Sequence, residues 1–166
     1  MNLIQIIGIC VLLFLVIFIT KKKVWKQTLI FLVYWIWCFP QTFVGFIWYI
    51  ICKIRGFKTY RYKNAFWTTS INYSPAGGVS LGMFIFGKDY DSCRLKYDVK
   101  TEDVKKHEYG HALQSLILGW LYFIVIALPS VIWLSHYEKT DKDYYWFYTE
   151  AWAEKLGKVN RKKYKK

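Results

Sequence analysis

The sequence predicts a mainly α-helical membrane protein that contains a small β-hairpin, and three observations support this fold class. Hydrophobic residues occupy 55% of the 166 positions and aromatic residues 21%, while the formal net charge is +13. Soluble domains seldom combine these properties. Most of the hydrophobic residues form three long apolar runs, and most of the cations flank those runs or the C-terminus. Apolar helices in lipid, with cations against anionic headgroups, account for both features.

The positive charge could also indicate a nucleic-acid partner, because phosphate backbones attract Lys and Arg. No nucleic-acid-binding motif accompanies the cations, and their position beside apolar runs favours a lipid bilayer as the partner. The cysteines show no CxxC spacing, so we expect buried thiols in a reducing compartment rather than disulfides. They are Cys10, Cys38, Cys52 and Cys93.

The first apolar run covers residues 3–19 and is close to the minimum length of about 17 residues for a spanning helix. Gln5 is its single polar residue, and three lysines follow it at positions 21–23. Because the positive charge comes after the run, a signal anchor explains it better than a cleaved signal peptide. The sequence therefore predicts an N-terminal transmembrane anchor over residues 1–23, with its C-terminal end in the cytoplasm.

The second apolar run, residues 29–52, is interrupted in the middle by the sequence FPQT. Cations flank it on both sides, with Lys26 before it and Lys53 directly after it. A single crossing would place one of these basic flanks on the unfavourable side of the membrane. Residues 24–63 are therefore interpreted either as a kinked span or as a re-entrant hairpin centred on Pro40.

Residues 64–166 form the remaining region, and its composition differs from that of the preceding apolar runs. Aromatic and β-branched residues around the sequence SPAGG predict a β-hairpin with strands near 65–73 and 79–86. A helix follows from Thr101 to about Gly119, and its sequence contains the motif HEYGH. The third apolar run, residues 116–134, contains a proline, and a further helix is expected around 143–156.

The HExxH motif consists of His107, Glu108 and His111. Residues four apart lie on one face of a helix, so the two imidazoles could bind a single zinc ion. Glu108 follows the first histidine directly, where it could take a proton from a metal-bound water. A third ligand must come from downstream, and Glu150 and Glu154 are notable because they share one helical face. The other downstream candidates are His136, Glu138, Asp141 and Asp143.

An HExxH motif followed by a helix with the pattern E-x-x-x-D/E resembles the gluzincins, a family that includes thermolysin-like metallopeptidases. The stretch HEYGHALQS is also similar to poorly characterised bacterial gluzincin-like domains. The resemblance implies a zincin-like pair of helices and one Zn²⁺ per chain, bound by His107, His111 and Glu150. It further implies that Glu108 is the general base and that Glu154 orients a ligand imidazole, although the family usually has Asp at that position.

The function implied by this resemblance is that of a membrane-bound zinc metalloendopeptidase acting on a peptide or protein substrate. A non-catalytic membrane adaptor or pseudoenzyme, with a structural metal or none, is the alternative. The strand within residues 78–87 is a candidate to pair with extended substrate. A donor to the developing oxyanion is also expected. Its candidates are His136, Tyr144, Tyr145 and Tyr148.

Metal binding by Glu150 would restrict the path of the third apolar run. Ligand bonds are about 2 Å long, whereas a single crossing of residues 116–134 would separate Glu150 from the histidines by about 30 Å. We therefore expect this run to turn back near Pro129, to lie along the interface, or to pack inside the fold. This arrangement leaves one span at the N-terminus and the catalytic region on the cytoplasmic side, which we expect to be that of a bacterial inner membrane.

Overall fold

The computed structural model describes residues 22–69, 77–88 and 101–160, together with residues 5, 7–9, 11, 12 and 14. Most of the expected anchor, the segment between the two expected strands and the basic C-terminal tail lie outside the described residues. The helices are α1 (Lys22–Ile36), α2 (Phe39–Ile54), α3 (Thr101–Leu118), α4 (Leu128–His136) and α5 (Tyr148–Gly157). The strands are β1 (Thr59–Tyr62), β2 (Ala65–Thr69), β3 (Gly78–Leu81) and β4 (Phe84–Gly87).

The second apolar run forms two helices joined at a first bend, Trp37–Cys38. The axes of α1 and α2 differ in direction by 100°. Pro40 lies in the first turn of α2, where its missing N–H costs no helical hydrogen bond. The apolar run is therefore broken as expected, but the break lies directly before FPQT rather than within it.

The strands form a mixed sheet in the order β1-β2-β4-β3, in which β2 and β4 are parallel. The expected hairpin of residues 65–73 with 79–86 is wrong, because the antiparallel pairs are β1 with β2 and β3 with β4. The second expected strand is split by a turn at Gly82, whose φ of +62° suits glycine. The turn carries no cluster of polar residues, so the sequence there looked like one continuous strand.

Strand β4 is buried on both faces and determines the layering of the fold. Phe84 and Phe86 pack in one core with Tyr34, Cys38 and Cys52 of α1 and α2. Ile85 points to the other face, where it packs against Val104, Tyr109 and Ala112 of α3. Successive side chains of a strand point to opposite faces, so a strand between two helical layers is apolar throughout. Residues of the 24–63 and 64–166 regions thus share a core.

Helices α3 and α5 pack at unusually short range through glycines. A Cβ atom at Gly110 would overlap the carbonyl group of Ala153, and one at Gly157 would overlap the carbonyl of Lys106. Only glycine permits backbones to approach this closely. The two contacts lie on either side of the first turn of the HExxH motif, so they fix α5 against that motif.

The third apolar run changes direction at a second bend, Gly119–Tyr122. Residues 101–121 and 123–139 differ in direction by 119°, and Gly119 has a φ of +59°. The turn expected near Pro129 is therefore wrong, although the chain does turn back within this run. Pro129 lies in the first turn of α4, after the π-helical segment Phe123–Ala127. The Tyr148 hydroxyl donates to the Val125 carbonyl at 2.6 Å, the acceptor that residue 129 would use in a regular helix.

The two bends are joined by hydrogen bonds to the C-terminal half of α3. The Tyr34 hydroxyl and the Cys38 thiol donate to the carbonyls of Ala112 and Ser115, each at 3.1 Å. The Gln41 amide donates to the Gly119 carbonyl at 2.7 Å. The last carbonyls of a helix have no partner within it. Polar residues around the first bend therefore complete the end of α3.

No single helix of the described residues is both long and apolar enough to cross a bilayer. Two bent pairs, 24–36 with 39–54 and 101–121 with 123–139, have sufficient length and apolar composition when each pair is taken together.

Replacing Gly110 by Ala should destabilise the protein. Helix propensity alone would stabilise α3 by about 1 kcal/mol, but the overlap with the Ala153 carbonyl should cost about 1–3 kcal/mol or more. The midpoint of thermal unfolding, followed by circular dichroism in detergent, should fall. Lys155→Ala on the exposed side of α5 is the control and should change stability by less than about 0.5 kcal/mol. A midpoint raised by Gly110→Ala would contradict the close packing.

Candidate metal centre

Three side chains from two helices converge to form a group that could hold a metal ion. They are His107 and His111 of α3 and Glu150 of α5, and their ligand atoms all lie within 4.8 Å of one another. All three residues are buried. The histidines meet because they are one helical turn apart, and Glu150 reaches them because α5 packs directly against α3.

The distances within this group fit a four-coordinate metal ion. Glu150 Oε2 lies 3.1 Å from His107 Nε2 and 3.3 Å from His111 Nε2. Tetrahedral ligands bound at about 2.0–2.1 Å are separated from one another by about 3.3 Å. Three protein ligands at this spacing leave one coordination position open, which is typical of catalytic rather than structural sites.

The charge of Glu150 matches a role as a metal ligand. Burial raises the pKa of Glu150, but hydrogen bonds from His107 and His111 outweigh burial and hold that pKa well below its usual range. Burial alone would lower the pKa of His111, whereas the hydrogen bond and charge of Glu150 raise it above its usual value. Glu150 is therefore a carboxylate at neutral pH, as a metal ligand must be.

Gln114 orients His111, a role that the sequence did not reveal. Its Oε1 lies 2.7 Å from His111 Nδ1, and its Nε2 donates to the Thr149 carbonyl at 2.8 Å. An amide oxygen only accepts, so His111 Nδ1 carries a proton, which leaves Nε2 as the nitrogen that a bound metal ion would use. Gln114 is fully buried and lies three residues after His111, on the same helical face. That spacing was the available signal.

Thr149 and Ser130 fix the Glu150 carboxylate, and neither was identified from the sequence. Ser130 Oγ donates to Thr149 Oγ1 at 2.8 Å, and Thr149 Oγ1 donates to Glu150 Oε1 at 3.2 Å. With Oε1 held in this way, Oε2 is the oxygen that faces both imidazoles. The chain of hydroxyls extends the support of the site to the segment that follows the second bend.

His107 lies beside Glu154, the residue that the gluzincin resemblance implies would orient a ligand imidazole. Glu154 Oε1 lies 3.9 Å from His107 Nδ1, which is ion-pair distance. The ring of Tyr145 packs edge-on against the His107 ring, with centroids 5.3 Å apart and an interplanar angle of 82°. Glu154 therefore faces the outer nitrogen of His107, at a distance longer than a hydrogen bond.

Glu108 is buried beside the group and against the edge of the sheet. It lies between His107 and His111 in the sequence of α3 and is 4% exposed. A Cβ atom at Gly78 would lie 2.5 Å from Glu108 Oε1. Strand β3, which begins at Gly78, thus starts directly at this carboxylate and forms one edge of the sheet.

The four candidate oxyanion donors occupy different positions relative to the candidate metal site. Burial, followed by the charges of Glu150 and Glu108, raises the pKa of Tyr144 far above its usual value. Tyr144 is therefore a protonated donor at the site. Tyr145 contacts His107 through its ring. Tyr148 instead bonds to the Val125 carbonyl, and exposed His136 lies 2.9 Å from the Ile132 carbonyl of its own helix.

Replacing His111 by Gln should remove most of the metal affinity, because one of three protein ligands is lost. The loss should exceed about 100-fold, since outer hydrogen-bond partners alone are worth about 10–100-fold. Competition with a chromophoric chelator measures the affinity for zinc, and elemental analysis should give about one equivalent in the unsubstituted chain. His136→Gln is the matched control and should bind zinc normally. Equal affinities for the two variants would contradict the assignment.

Replacing Gln114 tests the orientation of His111. Gln114→Leu removes the acceptor for Nδ1 and should weaken zinc binding by about 10–100-fold. Gln114→Glu keeps an acceptor for the imidazole while losing the donor to the Thr149 carbonyl, so its zinc affinity should stay much closer to the original. The same chelator competition distinguishes the two variants. Equal losses in both would mean that Gln114 acts through packing alone.

The arrangement of the side chains is what identifies this group as a candidate metal site. Two imidazoles, a carboxylate, a neighbouring buried carboxylate and a phenol converge at one point between α3, α5 and the sheet edge. Comparison of the chain with known protein families, with functionally described proteins and with solved structures gave no match.

Proposed function

We propose that this protein is a membrane-bound zinc metalloendopeptidase. The observation that carries the proposal is the buried Glu108 carboxylate beside a group of two histidines and one glutamate with an open fourth position. A structural metal site gains nothing from a base at that place, which favours a catalytic site over a non-catalytic adaptor. Two imidazoles and one carboxylate are a known ligand set of catalytic zinc in proteases.

The residues around the site have separate roles in peptide hydrolysis. When bound, zinc would lower the pKa of water to about 7 and polarise the substrate carbonyl. Glu108 accepts the proton of the attacking water and then returns it to the leaving amine. Tyr144 is held protonated by its surroundings, so it can donate a hydrogen bond to the oxygen on which negative charge develops. Gln114, Thr149 and Glu154 orient the ligands.

The position of β3 supports an extended peptide as the substrate. An edge strand offers unpaired N–H and C=O groups, to which an extended segment can add as a further strand. Gly78 brings the start of β3 against Glu108, so a peptide paired with this edge would pass the base. Val79 is 43% exposed on the same strand and could contact a substrate side chain.

Glu108→Gln should retain zinc and lose hydrolysis. The amide preserves the size of the side chain but cannot take a proton, and general-base catalysis is worth about 10²–10⁴-fold in rate. Hydrolysis of a mixture of quenched fluorescent peptides in detergent measures the rate, and elemental analysis measures the zinc. Glu138→Gln, at an exposed position, is the matched control and should be unchanged. Full activity in Glu108→Gln, or zinc-free purified protein, would refute the proposal.

A further inference from the structure

Helix α2 has its polar and small residues inside and its large apolar residues outside. Its buried residues are Gln41, Thr42, Gly45 and Cys52. Its exposed large side chains are Phe39, Phe43, Val44, Phe46, Ile47, Trp48, Ile50, Ile51 and Ile54. A helix facing water shows the opposite distribution. Helices facing lipid place small and polar residues against the protein, because hydrocarbon solvates the apolar side.

The exposed apolar surface continues from α2 onto α1, the second bend and α4. It includes Trp25, Leu29, Phe31, Leu32 and Ile36 before the first bend. Around the second bend it includes Ile117, Trp120, Leu121, Ile124, Leu128, Val131 and Ile132. Neither residues 27–52 nor residues 112–137 contain any Asp, Glu, Lys or Arg. A continuous apolar surface of this extent marks an interaction site.

The two bends meet and form one tip, which we call the paired tip (Trp37–Cys38 with Gly119–Trp120). A Cβ atom at Gly119 would overlap the Trp37 ring, and Gln41 donates to the Gly119 carbonyl. Cys38 satisfies the carbonyl of Ser115 in the same region. Backbone carbonyls in hydrocarbon must be bonded within the protein, since no water is present. The Ser115 and Gly119 carbonyls around the end of α3 are bonded within the protein by Cys38 and Gln41.

The distribution of cations favours an anionic bilayer as the partner. It also favours placing both ends of the first helix pair on the same side of that bilayer. Lysines 22, 23 and 26 lie at the start of α1, and Lys53 and Arg55 lie at the end of α2. The first 88 residues contain no Asp or Glu. Each such cation contributes about 1 kcal/mol at an anionic surface, whereas each costs about 2.5–3.5 kcal/mol at the centre of a bilayer.

Helix length agrees with partial insertion. At about 1.5 Å per residue, α1 and α2 are each about 22–24 Å long, less than the hydrocarbon thickness of about 30 Å. The 100° bend shortens the depth that the pair can reach. We infer that the paired tip enters one leaflet of an anionic bilayer as a re-entrant structure, and that both helix pairs begin and end on the side of the metal centre.

This inference rests on the membrane-bound part of the proposed function and is independent of the hydrolytic chemistry. The experiment uses the full chain with its native cysteines replaced, Cys38 by Ser to keep a donor, and with single cysteines introduced elsewhere. Val24→Cys and Ile54→Cys report the two ends of the first helix pair. Ile36→Cys and Trp120→Cys report the paired tip, and Lys155→Cys reports the catalytic side.

A membrane-impermeant maleimide is applied to inverted inner-membrane vesicles, in which all copies share one orientation. Positions 24, 54 and 155 should be labelled from the same side. Positions 36 and 120 should resist labelling from both sides, and nitroxides there should be relaxed by oxygen and not by a water-soluble nickel chelate in phosphatidylglycerol-containing vesicles. Circular dichroism checks that each variant is folded.

Three outcomes would overturn the inference. Labelling of positions 24 and 54 from opposite sides would show a crossing, and rapid labelling of positions 36 and 120 would show a tip in water. Cross-linking between copies at position 36 would show that a second copy covers the surface. Loss of hydrolysis or of zinc leaves the labelling pattern unchanged, so failure of the enzymatic proposal is distinguishable from failure of this one.

Discussion

The contact between the Glu150 carboxylate and the two imidazoles of α3 is the constraint on which the rest of the structure depends. It requires α5 to lie against α3 at a distance that only glycines permit, which accounts for Gly110 and Gly157 at the crossing. It also requires the chain to return after 39 residues (150 − 111), and the bend at Gly119 provides that return. A hydrogen bond from the Gln114 amide to the Thr149 carbonyl joins the two helices at a second point, and neither of its atoms is a candidate metal ligand.

Local spacing explains what the sequence could predict. His107 and His111 one turn apart, and a later helix with Glu150, are patterns within single helices. Thr149 and Ser130 could not be identified in this way, because their roles depend on contacts between helices and their residue types are common. Gln114 had its spacing from His111 as a signal, but its residue type is common too. The sheet shows the same limit. Parallel pairing of β2 with β4 joins segments whose partners no local pattern specifies, and the turn at Gly82 lies within an apolar stretch.

The polar residues within the second apolar run make structural contacts that a hydropathy pattern does not show. FPQT was interpreted as an interruption of a hydrophobic segment. In the structure, Gln41 donates to the Gly119 carbonyl at the start of the second bend, and Thr42 packs against the turn at Gly82. The break in the first helix pair, the residue directly after α3 and the turn of the sheet therefore meet at one place. An apolar residue at position 41 would remove the donor to the Gly119 carbonyl.

The shared core around β4 means that the N-terminal helices are not a detachable anchor. A shortened chain beginning after Ile54 would lose Tyr34, Cys38 and Cys52, which cover Phe84 and Phe86. It would also remove the donors to two carbonyls of α3 and to the Gly119 carbonyl directly after it. Excising residues 55–166 as a separate fragment would thus expose one whole face of the sheet. Purification in lipid nanodiscs or detergent, with α1 and α2 retained, is the route that this architecture dictates.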